Sequence, residues 1–171
     1  IGMYLSYYLD IASGASIARA DTAPRFTLAE AGLKTDIQIN SIFDQVQVHF
    51  PLADGRKIQQ GTLKLHLAHS TKLLPNLSDL VIALNTEPAA SLVLTPDNAA
   101  SAFIDIALPI SALHSGDNVL TFQLHLRLRD TGCTDANDIA LWATIMADSA
   151  IELAGAEGPI QPDLSRYPAP F

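Results

Sequence analysis

The sequence predicts an all-β fold, an antiparallel jelly roll or β-sandwich with little helix. Two observations carry that expectation. From residue 26 onward, short runs alternate apolar and polar residues with a period of two, the pattern of a strand with one buried and one wet face. Between the runs stand clusters rich in Gly, Pro, Asn and Asp, such as "PLADGRK", "TPDN" and "HSGDN", which are turn formers. A strand-and-turn unit of about ten residues is the spacing of a sandwich or jelly roll.

In chain order, residues 26–34, "FTLAEAGLK", read either as one helical turn ending at Gly32 or as a strand. Residues 35–40 and 45–50 alternate. In residues 62–69, Leu63, Leu65 and Leu67 share one face, with Lys64, His66 and Ala68 on the other. Residues 79–85 and 91–94 are continuously apolar and read as buried. Residues 102–108 place Phe103 and Asp105 on one side, Ile104 and Ile106 on the other. Residues 108–116 read as a short helical turn stopped by Gly116. The longest run is 118–130: Leu120, Phe122, Leu124, Leu126 and Leu128 fill one face, and Thr121, Gln123, His125, Arg127 and Arg129 the other. Residues 141–146 and 149–153 close the series. The expected organisation is an N-terminal segment over 1–25, one domain over 26–155, and a Pro-rich extended linker over 156–171 leading toward a further domain.

Composition narrows the function. The chain has 171 residues, 49% of them hydrophobic, which suits one domain with a sizeable core. Its formal net charge is −8. An acidic chain gains nothing from counterion release on a polyanion, so a nucleic-acid partner and attachment to an anionic membrane surface are not expected. Its one cysteine cannot form an internal disulfide or a thiolate-rich zinc site. No run reaches the roughly 18 uninterrupted apolar residues of a spanning helix. The first twenty residues are apolar and end in Ala18-Arg19-Ala20, a small-x-small pattern, but Asp10 interrupts them and no basic stretch precedes them.

No motif for catalysis or phosphate binding is present. There is no G-x-S-x-G elbow, no H-E-x-x-H and no glycine-rich loop. His66 and His125, on wet strand faces, read as solvated. Asp105 and Glu152 are the carboxylates that a glycoside hydrolase on this fold would need to oppose across a cleft. Cys133 has acidic neighbours, which disfavour its thiolate. No cofactor and no metal are expected.

The stretch "CTDANDIALWATI" concentrates the remaining candidates. Asp135, Asn137 and Asp138, with Asp130 upstream, are oxygen ligands of the kind Ca²⁺ takes, although the EF-hand spacing is absent. The alternative is that they cap a turn through side-chain to backbone bonds. Trp142 lies inside "ALWATI" and reads as a core residue, with a sugar-stacking platform as the sharper alternative. Trp142, Asp135, Asn137 and Asp138 are therefore the candidate glycan-binding residues.

Several segments carry a resemblance. "GTLKLHLAHSTKLLPNLSDLVIALNTEPAASLVL" resembles the strand, S-x-x-L-L-P, strand, L-N stretch of the bacterial cellulose synthase regulatory subunit family. "GDNVLTFQLHLRL" is similar to its G-x-N-x-L-x-F strand, "CTDANDIALWATIMADSAIEL" to its C-x-D-x-x-D-x-x-L-W-A segment, and "DLSRYPAPF" to its exit. Thr86 stands where the family usually has the glycine of L-N-G. The resemblance implies the first carbohydrate-binding-like jelly roll of a longer periplasmic protein. That protein is non-catalytic, is tethered to the inner membrane by a C-terminal helix absent from this chain, and is a partner of the catalytic subunit that helps guide the emerging β-1,4-glucan. The family's traditional name refers to cyclic di-GMP; the resemblance places that nucleotide on the catalytic subunit's cytoplasmic part.

Overall fold

The computed structural model describes residues 25–157, apart from 32, 34, 54, 55, 133, 134 and 136. The expectations for the first twenty residues, Gly32, Cys133 and the Pro-rich tail fall outside the described residues.

Among the described residues, ten strands build two antiparallel sheets. They are β1 (Arg25–Thr27), β2 (Ile37–Ile39), β3 (Phe43–Leu52), β4 (Arg56–His69), β5 (Asp79–Leu84), β6 (Glu87–Val93), β7 (Ala102–Ala107), β8 (Gly116–His125), β9 (Ala143–Ile145) and β10 (Ala150–Glu157). Among the described residues, helix is limited to two 3-10 turns, Pro96–Asn98 and Ile110–Ala112. The six-stranded sheet runs β1-β10-β4-β9-β2, with β7 on the other edge of β4. The four-stranded sheet runs β3-β8-β5-β6.

The alternation explains the packing. Leu63, Leu65 and Leu67 of β4 are fully buried, as are Leu120, Phe122 and Leu124 of β8 and Leu80, Ile82 and Leu84 of β5. They meet between the sheets in one hydrophobic cluster with Phe50, Ile145, Ile151 and Leu153. Each such side chain is worth roughly 1.5–3 kcal/mol of burial.

Three expectations need correction. Residues 91–94 are not a buried strand: β6 is an edge with a single neighbour, and Val93 is 50% exposed while Leu94 is buried. The longest strand is β4, with 14 residues. β8 stops at His125 because the chain beyond it is held by loops: Leu126 N–H donates to Ile42 O at 2.8 Å, and Arg127 N–H to Ser78 Oγ at 2.9 Å. Residues 79–85 are buried on one face only, with Val81 and Ala83 half-buried. The ambiguous start, 26–34, resolves as β1 followed by a turn. There Thr27 N–H donates to Glu30 Oε2 at 2.7 Å and Glu30 N–H to Thr27 Oγ1 at 3.2 Å, a reciprocal cap.

β9 and β10 both lie along the same side of β4, which places the turn between them at His66. Met146 N–H donates to His66 O, and His66 N–H donates to Ser149 Oγ. The ladder is thus continued by a serine where the strand is interrupted, and this local break positions the polar cluster described below.

The β5–β6 hairpin turns through Asn85 and Thr86, both at positive φ (47° and 76°). This is the two-residue turn whose handedness matches the twist of the flanking strands.

Candidate functional site

The loop before β9 is built on its acids. Asp135 Oδ1 accepts the Asn137 backbone N–H at 2.9 Å, and Asp138 Oδ1 accepts that of Ala140 at 2.9 Å. Asp138 N–H donates to Asp135 O and Leu141 N–H to Asp138 O. These side-chain turns are the capping role that the sequence leaves open for Asp135 and Asp138. Among the described residues, no group of three or more His, Cys, Asp or Glu could hold a metal ion.

Beyond this loop the strand period takes over. Leu141, Ala143 and Ile145 face the core and are buried, so Trp142 faces outward. It is half-buried rather than a core residue. The uncharged second face of this strand is only partly covered, and its lack of charge is what makes it look interior in sequence. Trp142 O accepts Ser70 N–H at 3.1 Å, which pins the strand start to the end of β4. The indole stands between two surface depressions. One, of about 450 Å³, is lined by Gln38, Asn40, Asn137, Asp138, Ile139 and Leu141 as well as Trp142. The other, of about 300 Å³, is lined by His69, Ser70, Thr71, Ala99 and Ala100 with Trp142. Three of the four sequence candidates, Trp142, Asn137 and Asp138, therefore share one depression, and Asp135 does not line it. Ile139 beside them is 96% exposed. An aromatic plane beside amides and a carboxylate presents an apolar surface next to hydrogen-bonding groups of both senses.

A second polar cluster sits on the outward face of the six-stranded sheet. His66 Nδ1 lies 2.7 Å from Asp148 Oδ1, and Nε2 lies 2.6 Å from Ser101 Oγ. The carboxylate only accepts, so Nδ1 donates to it, and in the neutral ring Nε2 accepts the Ser101 hydroxyl. Ser101 is exposed at φ 45°. Phe103 stacks on the imidazole with ring centroids 4.0 Å apart. His66 is not a solvated histidine: its side chain is 14% exposed and held at both nitrogens. Sequence could flag His66 and Phe103 as wet-face residues. Only the β4–β7 register, His66 opposite Phe103, brings them together.

The other candidates separate. His66 lies on β4 and His125 on β8, in different sheets, so they cannot share a metal. His125 Nδ1 is 2.9 Å from Asp79 Oδ1. Asp105 and Glu152 share an exposed sheet face on either side of Lys64, whose Nζ lies 3.4 Å from Asp105 Oδ2 and 3.9 Å from Glu152 Oε2. They are bridged by a cation on an open sheet face, not opposed across a cleft. Among the described residues, the one titrating group clearly displaced is Glu30. Its carboxyl is held below the ordinary range, first by the Thr27 backbone N–H and then by the Thr27 hydroxyl.

Comparison with known proteins places the chain. The family model described as "Cellulose synthase BcsB, first CBM domain" matches residues 21–157. A cyclic di-GMP-binding protein of Xanthomonas axonopodis pv. citri (strain 306) is 28% identical over 146 residues, covering 85% of this chain and 18% of that protein. Cellulose synthase 1 of Komagataeibacter xylinus is 26% identical over 152 residues, covering 88% of this chain and 10% of that protein. The chain thus spans a fifth or less of the curated relatives it matches. Among solved structures, a family 35 carbohydrate-binding module from an environmental isolate matches at 11% identity and a TM-score of 0.40, covering 69% of this chain and 70% of that one. Matched over most of its length, the chain belongs to the family of the first CBM domain of cellulose synthase BcsB.

Proposed function

We propose that this chain is a non-catalytic, periplasmic domain of a bacterial cellulose synthase complex that contacts the emerging β-1,4-glucan and helps guide it. The observation that carries the reading is the placement of Trp142: half-buried, bonded at its carbonyl to Ser70 N–H, and flanked by a depression with Gln38, Asn40, Asn137 and Asp138. Its partners are then the glucan and the catalytic subunit, and its tether to the inner membrane belongs to the longer protein. Cyclic di-GMP appears in the name of a relative. A chain of net charge −8 is a poor receptor for a bis-phosphate, so we assign the nucleotide to another component.

A hydrolytic reading has one observation in its favour. Ser101, His66 and Asp148 have the order and spacing of an acyl-transfer triad. Against it, Phe103 covers a face of the imidazole. A triad of this kind cleaves acyl esters rather than glycosidic bonds, so incubation of the chain with acetylated cello-oligosaccharides, followed by chromatography, separates the two. Unchanged sugars support the guide; deacetylated or shortened products at enzymatic turnover reject it.

A further inference from the structure

The middle of the outward face of the four-stranded sheet carries no charged side chain, although the chain is strongly acidic. Register puts Gln45 opposite Gln123, and Gln47 opposite Thr121. Val81 and Ala83 continue these rows on β5. None of these side chains is charged. The flanking acids are occupied: Asp79 by His125 at 2.9 Å, and Asp117 by His49 at 2.7 Å. The other sheet differs, since its outward face carries Arg25, Lys64, Asp105 and Glu152.

At one end of this neutral strip, Phe43 is 55% exposed. Its ring lies against His125 with centroids 5.1 Å apart, and Asp79 holds His125 in turn. The aromatic plane is therefore braced rather than free. Gln123 Nε2 donates to Gln45 Oε1 at 3.2 Å. That bond orients both amides and leaves the Gln45 N–H groups and the Gln123 carbonyl for a ligand.

From this geometry we infer that the outward face of the four-stranded sheet binds one strand of a neutral polysaccharide, laid along β3 and β8 from Phe43 toward Gln47. The inference rests on the glucan reading above for the identity of the sugar. Amides desolvate at lower cost than charges and both donate and accept, as sugar hydroxyls do. A polyanion is repelled by the net charge of −8. The rows run along paired strands, which suits an extended chain rather than a compact ligand.

The test is titration of the 171-residue chain with cellohexaose, followed by heteronuclear NMR. Phe43→Ala and Gln123→Ala are compared with Phe103→Ala on the opposite sheet, and thermal melts check that each variant is folded. The expected result is affinity lowered by about tenfold or more in the first two, unchanged in Phe103→Ala and restored by Phe43→Trp. Wild-type affinity in Phe43→Ala and Gln123→Ala overturns the inference. If Trp142→Ala alone abolishes binding, the glucan reading stands and the inference falls. If the chain ignores cellohexaose but binds xylohexaose or mannohexaose through Phe43, the face stands and the glucan reading falls. If it binds none of them, both fall. A dimer that Phe43→Ala dissociates would make the face a self-contact and also overturn the inference.

Discussion

Asn85 Nδ2 donates to Asn118 Oδ1 at 2.7 Å, and that bond fastens the β5–β6 turn to the start of β8. Asn118 is fully buried. Its oxygen also accepts His114 N–H, and its amide donates to the carbonyls of His114 and Gly116. Asn85 in turn donates to Ala112 O and accepts Val119 N–H. Two side chains thus satisfy a 3-10 turn, a hairpin and a strand start together. These are the asparagines of the L-N and G-x-N landmarks seen in the sequence, and the contact gives both a structural reason.

Asn118→Ala removes at once the partner of His114 N–H, of the His114 and Gly116 carbonyls and of the Asn85 amide, all part-buried bonds. Each unsatisfied group costs about 1–3 kcal/mol, and partial relaxation puts the expected loss at roughly 2–4 kcal/mol. Chemical denaturation measures it. A loss below about 0.5 kcal/mol, the size of a surface substitution, would mean that water replaces the latch.

Thr86 occupies the second turn position at φ 76°. A β-branched residue is strained there, by an amount of order 1–3 kcal/mol, and glycine is not. Glycine is also the residue the family resemblance puts at this place. Thr86→Gly is expected to stabilise by about 1 kcal/mol after the entropy of the unfolded chain is charged against it, raising Tm by roughly 2–4 °C. A lowered Tm would contradict the turn geometry.

Much of the fold is legible because it lives in the period of the sequence. Leu63, Leu65 and Leu67 need only alternation to be placed inside. Register is not legible: nothing local says that His66 meets Phe103 across β4–β7, or that Phe43 meets His125 across β3–β8. Edge status is hidden for the same reason, since Val93 is exposed through having no strand beyond it. The site is half legible. Trp142, Asn137 and Asp138 can be grouped by proximity in sequence, but Gln38 and Asn40 reach the depression only through the β2–β9 pairing. Trp142 itself reads as interior because an uncharged outward face and an interior face look alike in one dimension.

Glu30 yields a pH prediction. Its folded pKa lies below the unfolded value. The stability it contributes is therefore present above the unfolded carboxylate range and is lost as the pH falls through the folded pKa. Glu30→Gln keeps an acceptor but not the charge. The variant should be less stable than the parent at neutral pH, and the two should converge in acid. A stability difference independent of pH would assign Glu30 no electrostatic role.

Trp142→Ala tests how much of the indole is structural. Full burial would make the loss roughly 3–5 kcal/mol. A half-buried ring should cost about 1–2 kcal/mol and leave a folded chain with weakened glycan binding. Unchanged binding in the folded variant would remove Trp142 from the glycan contact.

That this sandwich holds a glucan without cutting it is tested most directly by a calorimetric titration of the chain with cellohexaose, with the recovered sugar sized afterwards. Saturable binding with the hexamer intact is the predicted result. No saturable heat, or recovery of shorter cello-oligosaccharides, would contradict it.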